Sequence, residues 1–98
     1  MPYQCVRVYR FRSGKLGRVV TSIKQTLAGS FTTQPGFIGY RFVTTADDRA
    51  VSESVWDTDE QAAFADVIES DWVRANISQY LDGLPDLLIG PVEVDVAV

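Results

Sequence analysis

The spacing of hydrophobic and polar residues changes several times along the chain, and each change marks an element. From Gln4 to Phe11 the residues alternate, Val6 and Val8 against Arg7, Tyr9 and Phe11, which predicts a strand with large groups on both faces. Ser13-Gly14 breaks it. Beyond Lys15 the apolar residues fall at Leu16, Val19, Val20, Ile23 and Leu27, a helical stripe that Gly29 and Pro35-Gly36 are expected to end. A second strand, Phe37 to Thr45, sets Ile38, Tyr40 and Phe42 against Arg41 and Val43. After the polar turn Asp47-Asp48-Arg49, a third strand from Ala50 to Trp56 sets Val51, Glu53 and Val55 against Ser52, Ser54 and Trp56. Two strands joined by so short a link form an antiparallel hairpin.

Asp57-Thr58-Asp59-Glu60 predicts a helix start, with Asp57 or Thr58 as cap and acids at the positive end of the dipole. Ala62, Ala63, Phe64, Val67 and Ile68 are expected on its buried side. Ser70-Asp71 reads as a second cap, opening a helix through Trp72, Val73, Asn76, Ile77, Tyr80 and Leu81 that Gly83 and Pro85 close. The last strand, Gly90 to Val98, sets Val92, Val94, Val96 and Val98 against Glu93, Asp95 and Ala97. The order β-α-β-β-α(α)-β predicts an α+β fold of the ferredoxin-like kind. Two right-handed units interleave in a four-stranded antiparallel sheet, one domain over residues 1–98. Helices cover one sheet face. The other carries valine, isoleucine and aromatics with no helix left to cover it, which predicts a homodimer packed sheet to sheet.

Composition narrows the class. A chain of 98 residues makes one domain with a thin core. Its longest uncharged run, Gln25 to Tyr40, is broken by Gly29, Pro35, Gly36 and Gly39, so no membrane helix is expected. The start of the chain has charges inside its apolar stretch, unlike a secretory signal, and Cys5 is the single cysteine. A cytoplasmic location with no membrane partner is the expectation. Charge is unevenly spread: residues 1–46 hold seven basic groups and no acid, whereas residues 47–98 hold all thirteen acids and two arginines. This could mark a basic surface for an anionic partner. The interleaved topology favours the other reading, in which basic and acidic strands lie side by side and complement each other.

Several chemistries are excluded or disfavoured. With no histidine and one cysteine, neither a transition-metal site nor a Ser-His-Asp or Cys-His nucleophile can be assembled. Asp57-x-Asp59-Glu60 lacks the EF-hand glycine and distal glutamate, and helix capping explains it better. Gly14-Lys15-Leu16-Gly17 is too short for a phosphate loop. RNA-recognition domains share this element order, but Ala50 to Trp56 lacks their Arg/Lys-Gly-aromatic signature and places Glu53 where phosphate would be repelled. No nucleic acid is expected as partner.

The run Pro35-Gly36-Phe37-Ile38-Gly39-Tyr40, the strand ending Val55-Trp56, then Asp57-Thr58-Asp59-Glu60-Gln61-Ala62-Ala63-Phe64 and Ser70-Asp71-Trp72-Val73-Arg74 resemble the antibiotic biosynthesis monooxygenase (ABM) superfamily of dimeric α/β barrels. The resemblance spans nearly the whole chain. It implies a two-sheet barrel at a dimer interface and a pocket in each subunit between sheet and helices. The family includes cofactor-independent oxygenases of phenols and quinols, haem-degrading enzymes, isomerase-like members and many proteins of unknown role. The haem-degrading members keep an iron-ligating histidine where this chain reads Arg74-Ala75-Asn76-Ile77, so that role fails at its central residue.

The function implied is a monooxygenase, without cofactor, of a polyketide-like phenol or quinol. The alternative is a homodimeric protein that binds a small aromatic or hydrophobic molecule without catalysis, or an accessory or stress protein. Arg7, Tyr9 and Asn76 are the candidate catalytic polar groups, suited to stabilising a phenolate or developing oxyanion. Tyr40, Trp56, Phe64, Trp72 and Tyr80 are the candidate substrate walls. Taken singly, each of these aromatics is more simply read as core.

Overall fold

In the computed structural model, which describes residues 1–97, the expected elements follow in the expected order, with several boundaries moved. Strand β1 is Tyr3–Arg10, β2 Phe37–Thr44, β3 Arg49–Trp56 and β4 Asp86–Pro91. They form one antiparallel sheet in the order β2-β3-β1-β4. Strands from the basic half therefore alternate with strands from the acidic half, and Arg41 lies directly across from Glu53. The β2–β3 turn holds Asp48 at φ 62, a left-handed conformation that aspartate tolerates better than most residues.

Helix α1, Leu16–Ser22, and helix α2, Ala28–Thr32, are joined without a break by a π-helical stretch, Ile23–Leu27. The reason lies in the buried residues Val19, Ile23, Leu27 and Phe31, which recur every four positions. An α-helix turns about 100° per residue, so a four-residue repeat drifts roughly 40° at each step. The wider π turn takes up that drift and keeps all four side chains against the sheet. Gly29, expected to end the helix, is passed over. It faces solvent, and the burial of Phe31 beyond it outweighs the roughly 1 kcal/mol that glycine costs a helix interior.

Helix α3, Asp59–Asn76, is a single rod where two helices were expected, followed by a 3-10 turn, Ser78–Tyr80. Thr58 and Gln61 form its capping box, each side chain meeting the other's backbone amide. Ser70 caps nothing, because its hydroxyl accepts from Arg7 instead. The sheet-facing stripe is Ala62, Ala65, Glu69, Trp72 and Val73. Ala63, Phe64 and Val67, expected inside, face outward, because the two alanines let the helix come close to the sheet.

The valines lie on the open face, as expected, and the covered face is the more polar of the two. Cys5, Arg7, Tyr9, Ala50, Ser52, Ser54 and Trp56 are buried under the helices. The alternating partners Val6, Val8, Val51 and Val55 lie on the open face. A bulge between Phe37 and Gly39 turns Ile38 out to join them, away from Tyr40 and Phe42. The last strand also differs from expectation. Pairing with β1 begins at Asp86 and ends at Pro91. Residues 92–97, the valine-acid run, make no ladder within the described residues, and Val98 lies outside them. No helix among the described residues is long and apolar enough to cross a membrane.

Candidate functional site

Two features on the helix side of β3 form the candidate site. The first is a buried polar network. Arg7, from β1, directs Nε to Asp66 Oδ1 at 3.1 Å and Nη2 to the Asp66 backbone oxygen at 3.1 Å, and also reaches Ser70. Its Nη1 donates to Tyr9 Oη at 3.4 Å, and Tyr9 donates to Glu69 Oε2. Ser52 Oγ donates to Glu69 Oε1 at 3.0 Å and lies 3.2 Å from Tyr40 Oη. Helix α3 thus supplies Asp66, Glu69 and Ser70, and three strands supply the rest.

Burial sets the electrostatics here. It pushes the Tyr9 and Tyr40 phenols well above their usual pKa, with the nearby Glu69 carboxyl adding to the effect. It pushes the Cys5 thiol up to about 12, so this cysteine is an inert core residue. Burial also raises Glu69, against the hydrogen bonds of Tyr9 and Ser52 and the charge of Arg7. A carboxyl raised by folding stabilises the protein fully below its unfolded pKa, about 4.3, and that contribution is lost as pH rises through the folded value. Wild type is therefore expected to lose stability relative to Glu69→Gln between pH 4 and pH 8. Urea midpoints of both proteins at the two pH values check this; a constant difference would mean that Glu69 does not titrate in that window.

The second feature is a cleft of about 530 Å³ at the end of the sheet. Trp56, Phe64 and Pro35 form its apolar walls; Gln34, Thr58, Glu60 and Gln61 form its polar rim. Local backbone shapes it. Gly36, at φ 76, has no room for a side chain, since a Cβ would collide with the Gln61 amide that closes the capping box. Trp56 packs edge-on against Phe31 and Phe37, at 5.7 and 5.3 Å between ring centroids. Its indole Nε1 is buried and, among the described residues, has no acceptor. Ser54, two positions back on the same strand face, likewise has a buried hydroxyl without a partner. Buried polar atoms are rarely left unpaired, and these two lie on one face of β3.

The expected site residues divide by position. Arg7, Tyr9 and Tyr40 meet in the network, and Trp56 and Phe64 meet in the cleft. The structure does not bring Trp72, Asn76 and Tyr80 to either. Trp72 Nε1 donates to Thr26 Oγ1 at 2.7 Å, tying α3 to the π turn. Asn76 is exposed and turns back to the Trp72 carbonyl at 2.9 Å. Tyr80 lies at the edge of the core, where Arg18 lowers its pKa through a hydrogen bond. Glu69, Asp66, Ser52 and Ser54 escaped the sequence reading. One signal was present: a helical stripe drawn through Ala62 and Ala65 passes through Glu69.

No curated protein matches the chain by sequence. Solved structures match its fold. A Nitrosomonas europaea protein named for the antibiotic biosynthesis monooxygenases gives a TM-score of 0.79 at 14% identity, over 98% of this chain and 94% of its own. A Mycobacterium tuberculosis protein gives 0.77 at 9% identity, over 99% and 100%. A Streptomyces coelicolor monooxygenase in complex with nanaomycin D gives 0.77 at 17% identity, over 98% and 91%. Likeness at these identities is likeness of fold. The family model for antibiotic biosynthesis monooxygenase matches residues 2–74, from the first strand into the last turn of α3, and the chain belongs to that family.

Proposed function

We propose that the chain is a homodimeric, cofactor-independent monooxygenase that holds a flat phenol or quinol against Trp56. The observation that carries this reading is that Trp56, which lines an aromatic cleft, has a buried indole N–H with no acceptor among the described residues. A ligand oxygen placed there satisfies it, while Phe64 and Trp56 cover the rings. Nanaomycin D in the related Streptomyces monooxygenase is consistent with a ligand of this kind. The substrate itself supplies the electrons. In an anthrone-like compound, an activated CH₂ and O₂ become C=O and water, with the ring anion reducing oxygen and no external reductant needed.

The test is oxygen uptake and product formation with a model anthrone, together with binding of hydroxylated polycyclic aromatics. Trp56→Phe keeps a ring and removes the N–H. It should weaken binding by about 1–3 kcal/mol, the cost of losing a buried polar partner. Unchanged affinity would place the ligand elsewhere.

A non-catalytic binding protein is the second reading. It is favoured by the way Arg7, Tyr9, Asp66 and Glu69 direct their polar atoms to one another. Tight binding without oxygen uptake by the wild type would select it.

The homodimer rests on the open sheet face. Val6, Val8, Val51 and Val55 lie there beside the exposed Ile38 and Leu88, and the unladdered valines Val94 and Val96 follow β4. Apolar area of this kind is normally covered. Light scattering at micromolar concentration should give about twice the 10.9 kDa chain mass. A stable monomer would remove the barrel from the proposal.

A further inference from the structure

The reaction proposed for the cleft begins with loss of a proton from the ligand, and a group in contact with the ligand must take it. Of the side chains that line the cleft, Glu60 alone ionises. Its neighbours in the first turn of α3 are engaged with the backbone. Thr58 Oγ1 accepts from the Gln61 amide at 3.2 Å, Gln61 Oε1 from the Thr58 amide at 3.1 Å, and Asp59 Oδ1 from the Glu60 amide at 2.8 Å. The Glu60 carboxylate makes no hydrogen bond or ion pair among the described residues, and it is exposed at the cleft rim. Phe64, one turn further along α3, is an aromatic wall of the same cleft. Residues four apart on a helix lie side by side, about 5–6 Å between Cβ atoms, so a ring laid on Phe64 has Glu60 beside it. A first-turn acid also favours the positive end of the helix, but Asp59 serves there too and does not line the cleft.

We propose that Glu60 is the catalytic base of the cleft, taking the proton from the bound phenol, quinol or anthrone. The inference rests on the cleft being an oxygenase site. With an anthrone, Glu60 takes one proton of the activated CH₂, and the C–H electron pair stays on the ring system as an anion. Oxygen accepts one electron from that anion, the two radicals join, and the resulting peroxide anion takes the proton back from Glu60. Glu60 then removes the second C–H proton. That electron pair forms C=O as the O–O bond breaks, and the departing hydroxide takes the proton from Glu60 to become water.

A carboxylate suits this task because each transfer moves a negative charge between Glu60 and the ligand and creates none. Separating new charge against the rings of Trp56 and Phe64 would be costly, whereas the pair keeps one net charge throughout. Gln61, whose Oε1 is taken by the capping box, keeps two N–H donors on Nε2 for an oxygen of the anion. Asp57 and Asp59 are the titratable groups beside Glu60 in the chain. Across the cleft stand Gln34, Pro35 and Trp56, none of them titratable.

A dihydroxyanthraquinone, which changes colour when it ionises, reports on Glu60 without turnover. A carboxylate beside the dye opposes its ionisation, so the bound dye should titrate about one pH unit lower in Glu60→Gln than in the wild type, with Asp59→Asn like the wild type. Equal values in all three overturn the placement of Glu60 beside the ligand. With anthrone under oxygen, Glu60→Gln should lower uptake by about 10²–10⁴-fold and abolish the fall in rate toward acidic pH, with affinity for the neutral dye kept within about twofold. Glu60→Ala should regain rate as acetate is added, which a merely structural residue would not do. Uptake by the wild type that Glu60→Gln leaves unchanged, equal losses in Glu60→Gln and Asp59→Asn, or a failure of acetate to restore rate each overturns the base. A wild type that binds the dye and consumes no oxygen overturns the oxygenase reading itself.

Discussion

Arg7→Met is expected to lower the free energy of unfolding by about 3 kcal/mol. Methionine fills much of the same space but leaves the Asp66 carboxylate without its ion pair and strips donors from Ser70 and the Tyr9 oxygen. Removing one partner of a buried pair costs about 3–5 kcal/mol, because the other is left uncompensated. The Arg7 side chain is 7% exposed and that of Asp66 24%, so water reaches the carboxylate and the lower end of the range applies. The pair Arg49–Asp47 is the control. Its side chains are 52% and 56% exposed, and Arg49→Met should leave the urea midpoint close to that of the wild type. Urea unfolding of the three proteins decides the matter. Equal midpoints for the two variants would mean that Arg7 is solvated, not buried in a network.

Phe31→Ala is the second large effect. Phe31 is fully buried where the helical stripe ends, touching both Tyr40 and Trp56. Truncating such a ring costs about 3–5 kcal/mol, lost burial plus the cavity left behind. In a domain of this size each kcal/mol lowers Tm by roughly 4–8 °C. Phe64→Ala, at a position 54% exposed, should cost far less stability while weakening ligand binding in the cleft. Calorimetry and a binding titration on both variants would separate core from wall. A destabilisation of Phe64→Ala as large as that of Phe31→Ala would contradict this division.

The contrast bears on how the site is built. Phe31 is the support on which Trp56 and Tyr40 rest, one bearing the unpartnered N–H and the other the hydroxyl that meets Ser52. A change at Phe31 therefore reaches both the cleft and the network, whereas a change at Phe64 reaches the cleft alone.

Local pattern was enough for the elements that local interactions determine. The first three strands, the polar β2–β3 turn and the helix start at Thr58 all rest on groups a few residues apart, as does the apolar stripe of the first helix. The alternation in β1 and β3 was equally plain, but alternation names two faces without saying which goes inside. Tertiary structure let the polar face be the covered one, because Asp66 and Glu69 arrive from 59 and 60 residues away to satisfy Arg7 and Tyr9. A buried polar group is tolerated only when its partner is present, and no window of sequence around Arg7 contains that partner. The same cause hid the continuity of α3, where Ser70 looks like a cap until Arg7 takes its hydroxyl. The extra winding at Ile23–Leu27 was hidden too, since only the flat target of the sheet requires a four-residue repeat to stay in line.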